Sequence, residues 1–412
     1  MHDIAIARQP IFDRHLETVA YELRYGPFGR AIASDDEEAG RFLATLLDIG
    51  FATLVGTRLA IIAFPVTFVL ETLPQLVATL PAEQLVLVID STIAHDPAYR
   101  QVLARLASRG CQLLLDLDVA QPVPVAVADV DIVRLRLPPV CDRSQRSGTL
   151  DRWLAERLAD LAPYRAGGLR VLLSDVQEFS TYSRARDRGV DLFQGDFLFR
   201  PIPIRGKRQP VSSAALTLLA RLHDPAVDFD EVERLVAQDV NLTYKLLKLV
   251  NSVWFARRTR IESLRQALLV LGLRNVATWV TVLVLAGIER KPVELVRTAL
   301  VRARMCELLA GALGVWPRES AFLVGLLSLL DAALDLPLAD ALAALPLAHE
   351  IEAALLERSG ELGQVLEVVL AYEMGEWGAI PHLALPRSLL IDAYIDALAF
   401  ATEALQALDL VS

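Results

Sequence analysis

Two periodicities divide the chain. In the first half, short apolar runs of strand length alternate with longer segments whose apolar residues recur at helical spacing; in the second half only the helical period persists. Candidate strands are Ile4–Ala7, Thr18–Leu23, Leu59–Phe64, Leu85–Asp90, Gln112–Leu117, Ile132–Leu135, Leu169–Leu173 and Leu192–Phe199. Amphipathic segments such as Glu38–Leu54, Pro97–Ser108, Leu150–Leu161 and Val176–Arg188 separate them. Strand–helix repetition predicts a mostly parallel sheet with helical crossovers, and about eight repeats predict closure into a TIM-like (β/α)8 barrel. The first two strands are joined by a short loop containing Pro10 and Asp13. That junction reads as a hairpin, so one strand runs against the rest.

From Leu216 onward the pattern is helical to the end. Val232, Leu235 and Val236 share one face, as do Leu242, Leu246, Leu249 and Val250, and then Leu264, Ala267, Leu268 and Leu271. Ser263 followed by Gln266 is a capping-box pair, and Gly272 stands where that helix is expected to stop. Val276–Ile288 is apolar almost all round, which predicts a buried central helix. Between the halves, the run RPIPIRGKRQPVSS mixes prolines and a glycine with basic and polar residues and reads as a linker. The predicted organisation is a barrel over 1–203, a linker over 204–211 and an all-α domain over 212–412.

Composition narrows the function classes. A chain of 412 residues has room for two cores, and 54% hydrophobic with 22% charged residues is globular rather than disordered. A net charge of −10 argues against a nucleic-acid binder that works by neutralising phosphates. Arg257, Arg258 and Arg260 follow Trp254 and Phe255 closely. Aromatic and arginine side chains anchor protein interfaces, so these five are candidate interaction residues; the alternative is two core rings beside a solvated basic loop. Three widely spaced cysteines imply a reducing compartment, with neither a disulfide framework nor zinc spacing. Met1–Pro10 lacks a leader's apolar run, Val276–Ile288 is too short to span a bilayer, and Asp331 and Asp335 interrupt Ala321–Leu338. The expected location is the cytoplasm, away from membranes.

Charged residues gather at the C-terminal ends of the strands: Glu22, Asp90, Asp116 with Asp118, Arg134 and Asp175. In a (β/α) barrel that face carries active sites. Carboxylates there suit either a divalent metal or the capping of following helices. The pairs His95-Asp96 and His223-Asp224 each precede a proline and read as turns; the remaining histidines have no metal-site spacing. Phosphate-loop, dinucleotide and serine-hydrolase signatures are absent.

Two stretches then carry resemblances. AQDVNLTYKLLKLVNS and RRTRIESLRQALLVLGL resemble the HDOD domain, a helical regulatory relative of the HD metal phosphohydrolases that lacks their metal residues. IARQPIFDRHLETVAYELRYG and DLFQGDFLFRP resemble the EAL domain, a barrel enzyme that hydrolyses cyclic di-GMP with metal ions. The two in this order resemble the YuxH-like EAL–HDOD signalling proteins. By that resemblance Glu22 falls on the metal-ligating glutamate of the name-giving motif, Asp116 on the first of two paired aspartates, and Gln194 on a late glutamine. Ala63, Val88 and Leu117 stand where an asparagine, a glutamate and the second aspartate are expected. Arg134 replaces a lysine near the attacking water, Ser174 replaces a further glutamate, and Gly26 sits where an arginine is frequent.

The resemblance therefore implies a degenerate EAL site with no catalytic residue, no metal and no cofactor. Glu22, Asp116 and Gln194 are its remnants. Asp90 is a compensating acid, two residues beyond Val88 on the same strand face. The expectation is a non-catalytic signal-transduction protein that works on other signalling proteins and is open to self-association. Two alternatives stand beside it: a cyclic di-GMP receptor without hydrolysis, and a residual phosphodiesterase using Glu22, Asp90 and Asp116 with Mg²⁺ or Mn²⁺.

Overall fold

The computed structural model of the chain describes residues 4–26, 35–90, 96–117, 130–138, 147–202, 213–224, 226–251, 261, 263–288, 291–315, 317–378, 380 and 385–411. Two compact units emerge: Met1–Leu198 with Tyr372–Ala379, and Phe199–Ala371 with Ile380–Ser412. The 204–211 stretch lies outside the described residues.

The first unit is a closed barrel whose eight strands pair in sequence order. They are β1 (Ala5–Phe12), β2 (Thr18–Gly26), β3 (Leu59–Ala63), β4 (Leu85–Asp90), β5 (Gln112–Leu117), β6 (Ile132–Arg136), β7 (Arg170–Ser174) and β8 (Leu192–Gln194). β1 is antiparallel to both neighbours, as the opening hairpin predicts, and the remaining pairs are parallel.

Two boundaries differ from the sequence reading. β1 continues through Pro10 to Phe12, and the turn is built instead by Asp13, whose carboxylate accepts from the backbone N–H of His15 at 2.7 Å and of Glu17 at 2.9 Å. Pro10 sits just before the register shift at Ile11/Phe12, a place where a missing N–H is tolerated. β8 stops at Gln194 rather than Phe199. Gly195 has φ 145° and a Cβ there would run into the backbone of Val176, so the chain leaves the sheet at that glycine.

Side chains alternate along a strand, so one inward set per strand stacks in layers across a barrel. Ile11, Ala20, Ile61, Val86, Leu114, Ile132, Leu172 and Leu192 form one buried apolar cluster, one residue from each strand. This layer is a packed floor, not a pore. The next inward positions toward the C-terminal face lie two residues further along each parallel strand, and two residues back on β1. They hold the chemistry described below.

The second unit is helical. The Leu264–Leu271 helix begins at Ser263, whose side chain accepts from the Gln266 N–H at 3.2 Å, and ends at Gly272 with φ 80°. The apolar stretch that follows forms the helix Leu273–Ala286, with Val276, Trp279, Val280, Val282 and Leu283 buried. Against it the helix Val293–Leu313 packs on Arg318–Leu327 and Arg387–Ala407. No helix among the described residues is long and apolar enough to cross a membrane.

His223 closes the first helix of this unit. Its Nε2 lies 3.0 Å from the Thr281 hydroxyl, which itself donates to the Ala277 carbonyl at 2.9 Å, so the ring N–H is the donor to Thr281. Asp224 bonds the Ala226 N–H at 2.8 Å, so the His-Asp pair builds a turn. Burial pushes the imidazole down from 6.5 to about 4. The unfolded chain therefore binds the extra proton first. Stability is full above pH 6.5 and falls as the pH drops toward about 4, by on the order of 2–3 kcal/mol. His223→Gln is expected to narrow the difference in urea midpoint between pH 7 and pH 4.5; an unchanged difference contradicts the assignment.

Candidate active site

The positions two residues beyond the apolar floor are Glu22 on β2, Ala63 on β3, Val88 on β4, Asp116 on β5, Arg134 on β6, Ser174 on β7 and Gln194 on β8, with Gln9 on the reversed β1. All eight line one cavity of about 210 Å³ at the C-terminal mouth, together with Leu23, Arg24, Tyr25, Arg136 and Asp175. The strand register makes this ring: Gln9 pairs with Glu22, Ala63 with Val88, and Asp116 with Arg134.

Glu22 is the hub. It is 8% exposed; Oε1 accepts from Arg134 at 2.7 Å and Oε2 from the Gln194 amide at 2.6 Å, and that amide also reaches Gln9 at 2.9 Å. Burial alone raises the carboxyl's pKa. The charge of Arg134, the Gln194 hydrogen bond and the charge of Arg24 outweigh that, so Glu22 is held below the ordinary carboxylate range and stays ionised. Arg134 is 6% exposed, lies 4.0 Å from Asp116 as well, and its buried Nε has no hydrogen-bond partner among the described residues. Arg136 grips Asp116 through both Nη2 and Nε, at 2.6 and 3.3 Å, while its own side chain remains 61% exposed.

Of the expected remnants, Glu22, Asp116 and Gln194 come together in this mouth, and Ala63, Val88 and Ser174 stand in it where ligand positions were expected. The Asp90 backbone pairs with Asp116, but its side chain lies outside the described residues. Trp254, Phe255, Arg257, Arg258, Arg260 and Asp118 also lie outside them.

Sequence reading missed three residues of the mouth. Arg24 lies two positions beyond Glu22 on the same face of β2, so the absence of an arginine at Gly26 does not leave this strand without a cation. Its guanidinium donates to Gln9 at 2.9 Å and to the Met374 carbonyl at 3.1 Å. Arg136 follows Arg134 by two positions in the same way. Gln9 precedes the apolar floor on β1. For Arg24 and Arg136 the sequence carries the signal, a polar residue two positions beyond a charged strand-end residue, whereas Gln9 falls in the stretch read as a loop.

All four oxygens of Glu22 and Asp116 accept from side-chain N–H groups. No cluster of three or more histidines, cysteines or acids with metal-holding geometry exists among the described residues. The described residues of the mouth thus do not fit a metal centre on their own, and no chemical step is derived through one.

The HDOD domain model matches residues 209–357. The Vibrio cholerae protein named cyclic di-GMP phosphodiesterase CdgJ is 32% identical over 92% of this chain and 87% of its own length. This chain belongs to the EAL–HDOD family. YuxH of Bacillus subtilis, a second relative, is 29% identical over 96% of this chain and 97% of its own. Among solved structures, Klebsiella pneumoniae BlrP1 in its calcium and manganese complexes with cyclic di-GMP covers 47% of this chain and 56% of that one, with 18% and 19% identity and a TM-score of 0.38 in each. The Bacillus subtilis YkuI protein, solved with cyclic di-GMP and calcium, covers 57% and 71%, at 16% identity and a TM-score of 0.39.

These findings correct three expectations. The Vibrio cholerae relative is named an enzyme across nearly the whole of both chains, which overturns the reading of an EAL–HDOD chain of this kind as non-catalytic and as a pseudoenzyme. The expectation of no cofactor rested on that reading and falls with it. The physical reason is that ligand types missing at single positions do not decide what a mouth built as one charged, hydrogen-bonded cluster can do.

Proposed function

We propose that the chain is a cyclic di-GMP phosphodiesterase of the cytoplasm, with its turnover at the mouth of the barrel and its helical half serving regulation. The observation that carries this reading is the near full-length likeness to the Vibrio cholerae phosphodiesterase. The domain limits that go with it are 1–203 for the catalytic barrel, 204–211 for the linker and 212–412 for the HDOD half. That half reads other signalling proteins or a second copy of the chain.

In this reading Glu22, Asp116, Gln194 and Asp90 belong to the working site. Glu22, kept ionised, fixes Arg134 on one side and Gln194 on the other. A phosphodiester entering from solvent meets Arg136 first, because that guanidinium is the exposed cation of the mouth. Arg134, deeper and already oriented, offers its unpartnered Nε to an anionic oxygen. Fixed donors that need no rearrangement favour the charge that develops at phosphorus. Water adds across one P–O bond, and a linear dinucleotide leaves.

The full chain given cyclic di-GMP with Mg²⁺ or Mn²⁺ is expected to yield that linear dinucleotide on chromatography. Cyclic substrate recovered intact with both ions contradicts the proposal. Arg136→Ala is expected to raise KM about tenfold, the worth of one charge-assisted hydrogen bond, with a smaller change in kcat.

A further inference from the structure

The helical unit holds a cavity of about 220 Å³ that has no part in the barrel chemistry. Four helices build it, three of them with residues at helical spacing: Asn275, Thr278 and Trp279 on Leu273–Ala286, Arg304 and Glu307 on Val293–Leu313, and Glu319 and Phe322 on Arg318–Leu327, joined by Phe400 on Arg387–Ala407. Trp279, Phe322 and Phe400 meet pairwise with ring centroids 5.9, 5.7 and 6.0 Å apart and planes inclined by 54°, 50° and 86°. The three rings are mutually inclined rather than stacked, and an aromatic face attracts a cation because it carries the negative part of the ring quadrupole.

The polar rim points the same way. Asn275 donates to the Leu271 carbonyl at 2.8 Å and Thr278 to the Arg274 carbonyl at 2.9 Å, so Thr278 leaves acceptor capacity, and Asn275 its carbonyl oxygen and one N–H. Glu307 and Glu319 are acceptors only when ionised. Arg304 is the cation among the lining residues; Asp396 and Glu307 hold it, each at 2.8 Å, with its guanidinium carbon 5.5 Å from the centre of the Phe400 ring. The cavity and its immediate support therefore set three carboxylates, Glu307, Glu319 and Asp396, against one guanidinium. The protein's own arginine, lying over one ring and between two acids, is an instance of that chemistry in place.

We propose that this four-helix cavity binds an organic cation, a guanidinium or alkylammonium group, with its apolar part against the aromatic corner and its N–H groups on Glu319, Glu307 and the Asn275 carbonyl oxygen. The site gives the HDOD half an input that is separate from cyclic di-GMP. Two sources share the chemistry: a small free amine, or a basic side chain on a peptide.

Calorimetry on the full chain with agmatine, and separately with an acetyl-Gly-Arg-Gly-amide peptide, distinguishes them against sodium chloride at matched ionic strength. One saturable site per chain is expected for at least one probe. Saturation by agmatine assigns a free amine, and saturation by the peptide alone assigns a side chain. Glu319→Gln, at an exposed position that leaves the core intact, is expected to weaken binding about tenfold. Absence of saturable heat from both probes, or an affinity equal to the parent's in Glu319→Gln and in the Glu307→Gln/Glu319→Gln pair, overturns the assignment.

Discussion

Glu22→Ala is expected to abolish turnover of cyclic di-GMP and to destabilise the barrel by about 3–5 kcal/mol, the cost of leaving a buried charge without its partner. The charge in question is Arg134, whose side chain is 7% exposed and whose shortest ion pair is the 2.7 Å contact to Glu22. Asp116, at 4.0 Å, is already committed to Arg136 and replaces little of it. The two losses separate in a double variant. Glu22→Leu with Arg134→Met removes both charges and recovers most of the stability, because apolar residues of similar volume pack where the pair stood. It recovers no turnover. Urea midpoints beside product formation check both statements; a Glu22→Ala chain as stable as the parent contradicts the buried-pair account.

Gly195→Ala is expected to cost at least about 3 kcal/mol, although it adds a single methyl group. Gly195 adopts φ 145°, which an L side chain rarely tolerates, and the added carbon would overlap the Val176 backbone. The Val176 N–H donates to the Gln194 carbonyl at 3.1 Å, so relief by backbone movement would break the contact that seats Gln194 beside Glu22. Reduced thermal stability with lower turnover is the expected pair of results. Gly148→Ala, where an added Cβ meets nothing within 4 Å, serves as the silent comparison.

Much of this architecture is legible in the chain. The order of strands and the helical second half follow from hydrophobic period, and the antiparallel opening pair from its short joining loop. So do the Ser263 start and the Gly272 stop of one helix, because capping depends on neighbours in sequence. The mouth of the barrel is legible in part. Once Ile132 is known to face inward, Arg134 and Arg136 follow at period two, and the same step from Ala20 gives Glu22 and Arg24.

What the sequence hides is pairing across distance. Arg134 and Glu22 stand 112 residues apart, and nothing local to either says that one carboxylate oxygen is taken by the other's guanidinium. The end of β8 is hidden likewise, because Phe197 and Leu198 have strand-like character while the decisive clash lies with Val176. Tyr372–Ala379 groups with the barrel unit although its neighbours on both sides belong to the helical one, and composition carries no trace of that. The aromatic corner needs four helices to meet before Trp279, Phe322 and Phe400 become one surface.

The most direct measurement follows turnover and binding of cyclic di-GMP side by side in the parent chain and in Glu22→Gln, with Mg²⁺ or Mn²⁺ supplied. The parent is expected to bind and linearise the dinucleotide, and the variant to bind without linearising it. Equal turnover in both, or none in the parent under either ion, contradicts a phosphodiesterase centred on Glu22.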